Sequence, residues 1–285
     1  MAADETRQRG SAAGPHVDHE VPLVDAATVV LVRDGPDGGG LEVLLLERHL
    51  DSDFAGGALV FPGGKVDDRD RSMPDQLWRG ADPKAWAPVL GTDAAGALGL
   101  LVAGVRETFE EAGILLASHA DGRPVTTTDL AGEDARQMRQ RLGARDADHD
   151  WRPWLAERGL VLELGWLGLW SWWATPVGQH RRFETRFLLA PAPAEQAAAH
   201  DEVETTALRW LAPTAALEAQ ARGEVTVIYP TRRNLAALAA YPDVAAVTRA
   251  VAAGEVDRRR IEPTLVPVDG TTMVQHPDGG PPEPV

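Results

Sequence analysis

Apolar positions along the chain fall first into short β-rich runs. Ala27 to Val32 and Leu41 to Glu47 are separated by DGPDGGG, a glycine-rich turn signal, and so predict a hairpin or neighbouring strands. Leu59 to Phe61 continues the pattern briefly before Pro62 stops it. Asp67 to Gly91 carries Pro74, Pro83 and Pro88 and is too broken for one element, which predicts a surface insertion. The period then changes. Leu98, Leu101, Val102, Val105, Phe109 and Ala112 keep the three-and-four spacing of one buried helical face, with Thr92 or Asp93 placed to cap its start and Gly113 to end it. Residues 128–158 read as polar and helical, a second surface insertion within about 120–160. Trp166 to Thr175 and Phe183 to Ala190 predict two long strands joined by PVGQHRR, Ala207 to Leu211 a short one, and alanine-rich helices fill 213–252. Trp166, Trp170 and Trp172 share strand parity, which predicts one packed face. Strands, a helix, then more strands and helices make an α/β chain with a mixed sheet.

On the long helix, Glu107, Glu110 and Glu111 crowd into five positions before Gly113. Spacings of three and four put their carboxylates on one side. At about 100° per residue Glu107 lies roughly 200° from both Val105 and Phe109, so the acids are expected to face away from the core stripe. Like charges near a helix C-terminus are mildly destabilising and call for compensation. Arg106, paired with Glu110 at i,i+4, offers one form of it in a solvated, salt-bridged face. The other is a cluster of hard oxygen ligands for Mg2+ or Mn2+.

Composition limits the remaining choices. The chain has 285 residues, 44% hydrophobic, enough for a substantial core. A net charge of −15 disfavours a nucleic acid polymer as partner, while a small phosphorylated ligand is still open through a bridging cation. With no cysteine there is no disulfide, thiolate metal site or cysteine nucleophile. The start lacks a secretion signal's apolar stretch and no window is apolar enough to span a membrane, so the expected location is cytoplasmic. Residues 1–22 and 262–285 are polar, or rich in proline and glycine, and are expected as flexible tails around a domain at 23–261. A homodimer is compatible with the sequence.

Upstream of the acids stands VFPGGKVDDRD, a strand running into two glycines that let backbone approach a cation or phosphate closely. Together with RETFEEAGI, this resembles the Nudix box: a glycine, five residues, Glu, seven residues, then REUxEExGU with U apolar. Gly64, Arg106, Glu107, Glu110, Glu111, Gly113 and Ile114 match. Thr108 stands at an apolar position, Asp70 replaces the first Glu, and residues 71–105 number 35 where the pattern has seven, 28 extra. An interruption at that place is similar to the coenzyme A and acyl-coenzyme A diphosphatase branch, as are the segments ending WATP, RFETRFLL and DEVETTALRWLAP.

The resemblance implies a Nudix-type α/β/α sandwich with helical insertions, one of them at 71–91 within the box. It also implies metal-dependent hydrolysis of a diphosphate joined to another moiety in a small nucleotide substrate. Glu107, Glu110 and Glu111 would then be metal ligands with the Gly63 carbonyl, Arg106 would orient them, and any one of the glutamates could hold the water. Glu204, with Glu202 as alternate, is carried over as the candidate general base or extra ligand; Glu184 has a weaker claim. Arg181 and Arg182, beside His180, are candidates for a coenzyme A phosphate, and Arg48 with His49 could approach substrate. ADP-ribose, NADH or a nucleoside triphosphate are the alternative substrates, and a catalytically silent nucleotide-binding module is the alternative from another class.

Overall fold

The computed structural model describes residues 21–48, 57–144, 149–199 and 205–284. β1 (Leu23–Asp34) and β2 (Leu41–Arg48) flank the glycine-rich turn and pair antiparallel, with Val32 opposite Val43. β3 (Ala58–Val60) pairs with β2, and the chain bends at Phe61–Pro62 into β4 (Gly63–Lys65), antiparallel to β1. β5 (Trp78–Arg79) and α1 (Pro83–Leu90) occupy the insertion, and α2 (Ala94–Ala112) follows. Beyond α2 come β6 (Ala117–His119), α3 (Thr127–Leu130), α4 (Glu133–Ala144), α5 (Arg152–Glu157) and β7 (Leu160–Glu163), with β5, β7 and β6 forming a small sheet. β8 (Gly168–Ala174), β9 (Arg182–Pro191) and β10 (Thr205–Leu211) complete most of the main sheet. α6 (Pro213–Ala221), β11 (Thr226–Val227), α7 (Tyr229–Leu238), α8 (Val244–Ala253) and β12 (Arg260–Ile261) close the domain.

The main sheet runs β11-β3-β2-β1-β9-β8-β12, with β10 on β2 and β4 on β1. It is mixed: β1 and β9 are parallel from Leu23 opposite Arg182 to Val32 opposite Pro191, while β8 and β9 are antiparallel. Side chains alternate across it. Ala27, Val29, Leu31, Leu44, Leu46 and Leu188 pack toward α2. Val30, Val32, Val43, Leu45 and Leu189 pack toward Leu235 of α7 and Val247 and Val251 of α8. Helices on both faces make the α/β/α sandwich expected from the sequence.

Asp93 caps α2 by accepting from the Gly96 amide at 2.7 Å, and Gly113 ends it at φ 67°. The helix lies close on the sheet at Gly104, where a Cβ would sit 3.1 Å from Val29 and 3.2 Å from Leu188. One buried face was expected, yet every residue from Gly96 to Ala112 is buried. The reason is the segment at about 120–160, whose described residues pack over α2 instead of standing apart from it. Ala135, Met138, Leu142, Trp151, Trp154 and Leu155 join the same core, and the Phe109 ring stacks on Trp151 and Trp154 at 6.4 and 5.4 Å. Aromatic pairs of this kind add about 0.5–1.5 kcal/mol beyond their buried area.

Two further expectations are corrected. Trp166 precedes β8 in a turn and is exposed, and a bulge between Leu169 and Ser171 reverses the parity of the residues beyond it. Trp170 and Trp173 therefore share the α7 side, while Trp172 lies beneath the Arg186 guanidinium. Nor is 262–284 a flexible tail: β13 (Thr264–Val268), β14 (Thr271–Gln275) and β15 (Glu283–Pro284) form a sheet of their own. It docks through Glu283 on Arg232 and Arg233 of α7, and through His276, buried edge-on against Trp173 at 5.9 Å.

Candidate active site

The site is built where β4 meets the last two turns of α2. Gly63 and Gly64 pair with Thr28 and Ala27 of β1. A Cβ on Gly63 would stand 2.5 Å from the Thr28 hydroxyl, and one on Gly64 2.5 Å from Glu107 Oε1. A side chain is therefore blocked by β1 backbone at Gly63 and by the Glu107 carboxylate at Gly64. In this antiparallel ladder Val29 donates to Pro62 and Val66 to Asp25, so Gly63 falls between hydrogen-bonded pairs and turns its N–H and C=O away from β1. Its N–H donates to Glu111 Oε2 at 2.8 Å.

Arg106 organises the other acids. Its Nε and Nη2 make a fork on Asp70 at 3.1 and 2.9 Å, Nη1 donates to Glu107 at 2.9 Å and reaches Glu110 at 3.5 Å, and Nη2 also donates to the Lys65 carbonyl at 2.8 Å. Asp70, one methylene shorter than the residue of the Nudix pattern, is thus an ion-pair partner of Arg106, presented by a short turn at Asp70–Ser72. Burial opposes the Arg106 charge, but Glu107, Asp70 and Glu110 together outweigh it and hold its pKa well above the ordinary value. Burial pushes the Asp70 carboxyl above its ordinary range against the pull of Arg106.

Glu107 and Glu110 are 2% exposed and Glu111 4%. That removes the solvated-face reading. α4 covers this end of the helix: a Cβ at Gly143 would stand 3.6 Å from Glu110 Oε1, and Arg139 donates from Nε and Nη2 to the Glu110 backbone carbonyl at 3.2 and 3.0 Å. Their hard carboxylate oxygens, one helical turn apart and steered by a guanidinium and a backbone amide, fit a hard divalent cation in donor type. They are not drawn together into a coordination shell, since among the described residues no three His, Cys, Asp or Glu converge at ligand separations.

The other candidates divide. Arg182 is buried, with Nε on the Thr175 carbonyl at 3.1 Å, Nη1 on the Val21 carbonyl at 3.2 Å and Nη2 on Glu262. It pairs with Leu23, four residues from Ala27, which is about 13 Å along the strand at roughly 3.3 Å per residue. Phosphate binding by Arg182 is therefore corrected to a structural tie, and Arg181 is exposed on the turn before it. Glu184 is engaged by Arg260 and Arg186. The Arg48 backbone pairs with Thr205 at the start of β10. The Arg48 side chain, His49, Glu202 and Glu204 lie outside the described residues. Lys65, Asp67 and Arg139 join the site without any sequence signal; Asp67 stands 3.8 Å from Arg106.

A glycine-bearing strand laid against an acidic helix end, inside a mixed sheet with helices on both faces, is the arrangement that the Nudix resemblance implies. The chain belongs to that family: residues 23–238 match the NUDT19 Nudix domain. It is 30% identical over 209 residues to the acyl-coenzyme A diphosphatase NUDT19 of Xenopus laevis, covering 62% of this chain and 54% of that protein. Against the Homo sapiens protein of the same name it is 30% identical over 239 residues, covering 71% and 63%. The chain thus spans 54% and 63% of the length of these two relatives. A solved NUDIX hydrolase from Alicyclobacillus acidocaldarius superposes with a TM-score of 0.62 at 27% identity, covering 81% of this chain and 96% of that one.

Proposed function

We propose that this protein is a Nudix pyrophosphohydrolase that cleaves the diphosphate of coenzyme A or an acyl-coenzyme A, giving a phosphopantetheine and adenosine 3′,5′-bisphosphate. The observation that carries the reading is the buried set of Glu107, Glu110 and Glu111, positioned by Arg106 and the Gly63 amide. The name of the NUDT19 relatives supports the choice of substrate.

Glu107, Glu110 and Glu111, with the outward-turned Gly63 carbonyl, would hold Mg2+ or Mn2+. When bound, such a cation offsets phosphate charge and makes water a better nucleophile. The chain's own part is preorganisation. Arg106 fixes the Glu107 and Glu110 carboxylates, Asp70 fixes Arg106, and Gly63 fixes Glu111, so the acids are held at one end of the helix and only their carboxylate ends have to turn to converge. A carboxylate must also take a proton from the attacking water. Glu204 is proposed for that role, with Glu202 as alternate, because both acids immediately precede β10 in the sequence, where the Nudix resemblance implies a general base or extra ligand. Arg48 in turn is the remaining candidate for a substrate phosphate. A cytoplasmic location, a small-molecule partner and a homodimer complete the reading; among the described residues no single helix is long and apolar enough to cross a membrane.

Purified protein with Mg2+ or Mn2+ is to be assayed on coenzyme A, acyl-coenzyme A, ADP-ribose, NADH and nucleoside triphosphates. Turnover highest on coenzyme A or its thioesters is the expected result. Preference for another member replaces the substrate but keeps the enzyme class, and no product from any member overturns the hydrolase reading in favour of a silent nucleotide-binding module.

A further inference from the structure

We propose that Asp25 is a positioning residue for the acidic site, gripping both ends of the loop that presents Asp70 to Arg106. The inference rests on the hydrolase reading for its kinetic consequence. The geometry is independent of it.

Asp25 lies on β1, outside the Nudix box, and makes three contacts with three segments. Its carbonyl accepts from the Val66 amide at 3.0 Å, where the loop leaves β4. Its Oδ2 accepts from Arg71 Nη2 at 2.8 Å, one residue beyond Asp70. Its Oδ1 accepts from Arg186 Nη1 at 2.9 Å. Between the first two contacts lie Val66 to Arg71, so the loop is pinned at its start and its end by one residue. Asp70 at the far side of that loop makes the fork on Arg106, and Arg106 holds Glu107 and Glu110.

Arg186 makes the grip rigid. It is 2% exposed in the middle of the sheet, lies 4.5 Å over the Trp172 ring, and donates from Nε and Nη2 to the Leu90 carbonyl at 3.1 and 2.8 Å. Leu90 is the last residue of α1, inside the segment that interrupts the box. Arg71 is held along its stem as well: a Cβ at Gly99 of α2 would meet its Cγ at 2.7 Å. The Asp25 carboxylate therefore joins the sheet, the interrupting segment and the Asp70 loop. This accounts for how a box with 28 extra residues keeps Asp70 in register with Arg106, 36 positions further on.

Hydrogen-bond partners placed behind metal-binding groups typically change affinity or activity by roughly 10–100-fold when removed. The test compares wild type, Asp25→Ala, Asp70→Asn and the double variant by kcat, KM and thermal midpoint on the substrate that wild type cleaves, with Mn2+ binding measured by calorimetry on the same samples. We expect Asp25→Ala to lower kcat and Mn2+ affinity by roughly tenfold or more with KM little changed, and the double variant to be no worse than Asp70→Asn, because both cut one chain of contacts. A residue that only stabilises the fold would lower the thermal midpoint and leave kcat per folded molecule intact. Wild-type kcat and Mn2+ affinity in Asp25→Ala, or losses that multiply in the double variant, overturn the inference. If Asp25→Ala does not fold, Arg71→Leu removes only the Oδ2 arm and is judged by the same criteria. Wild type that cleaves nothing but binds Mn2+ overturns the hydrolase reading alone, since Mn2+ affinity still reads Asp25; wild type that neither cleaves nor binds overturns both.

Discussion

Replacing Gly64 with alanine isolates the closeness of strand and helix on which the site depends. The added Cβ would stand 2.5 Å from Glu107 Oε1 and 2.6 Å from its Cδ, where ordinary contacts begin near 3.4 Å. Something must give by about 0.9 Å. The strand cannot easily retreat, because Gly64 lies in the ladder with Ala27 and the next residue's carbonyl is held by Arg106. Glu107 is the more mobile partner, and turning it away forfeits its 2.9 Å bond to Arg106. Overpacking of this kind costs about 1–3 kcal/mol, and each kcal/mol lowers the midpoint of a domain this size by about 2–4 °C. Misplacing a group by about 1 Å at a reacting centre costs on the order of 100-fold in rate. Gly64→Ala should therefore remain folded, melt several degrees lower, and lose on the order of 100-fold in kcat, with Mn2+ affinity falling in parallel. Steady-state kinetics and calorimetry on one preparation check it. Wild-type kcat with wild-type Mn2+ affinity would refute the claim that Glu107 works where the structure places it.

Three other contacts set further outcomes. Glu111→Gln keeps the shape and an acceptor for the Gly63 amide but removes a charge, so kcat should fall heavily with little change in thermal midpoint; equal activity would make the acids mere packing. Arg182→Ala should cost about 1–3 kcal/mol of stability, since the partly exposed Glu262 recovers water, while leaving KM for coenzyme A unchanged; a KM rise would restore Arg182 as a phosphate binder. His276 has its pKa lowered by burial and by Arg233, so the folded state resists a proton that the unfolded chain takes up near the ordinary histidine value of 6.5. Stability is then unaffected above about pH 6.5 and declines as pH falls below it, visible as loosening of β13–β15 in hydrogen exchange; His276→Phe should flatten that decline.

The legible part of the chain is local. Asp93 and Gly113 bracket α2 because capping depends on residues at its very ends, and the glycines of FPGG announce close approach wherever they stand. The rest is set by distant parts. The acids read as a solvated face when their angular position is measured against one core stripe, and nothing within α2 tells that α4 and α5 cover the remainder. Asp70 and Arg106 meet across 36 positions, beyond any periodicity. One extra residue near Trp170 reverses the parity of the tryptophans, and the alternation of TLVPV and TTMVQ is masked by the proline and glycine around them. Arg182 resembles a phosphate ligand because a basic run on a turn carries no mark of burial.

Arg182 has a consequence for how the molecule comes apart. One guanidinium holds the carbonyl of Val21, just ahead of β1, and the carboxylate of Glu262, just after β12. The entry to β1 and the joint between β12 and β13 share a single clasp, so loosening either one strips a partner from the other. Loss of order at the two places should be concerted, and a protease that gains one should soon gain both.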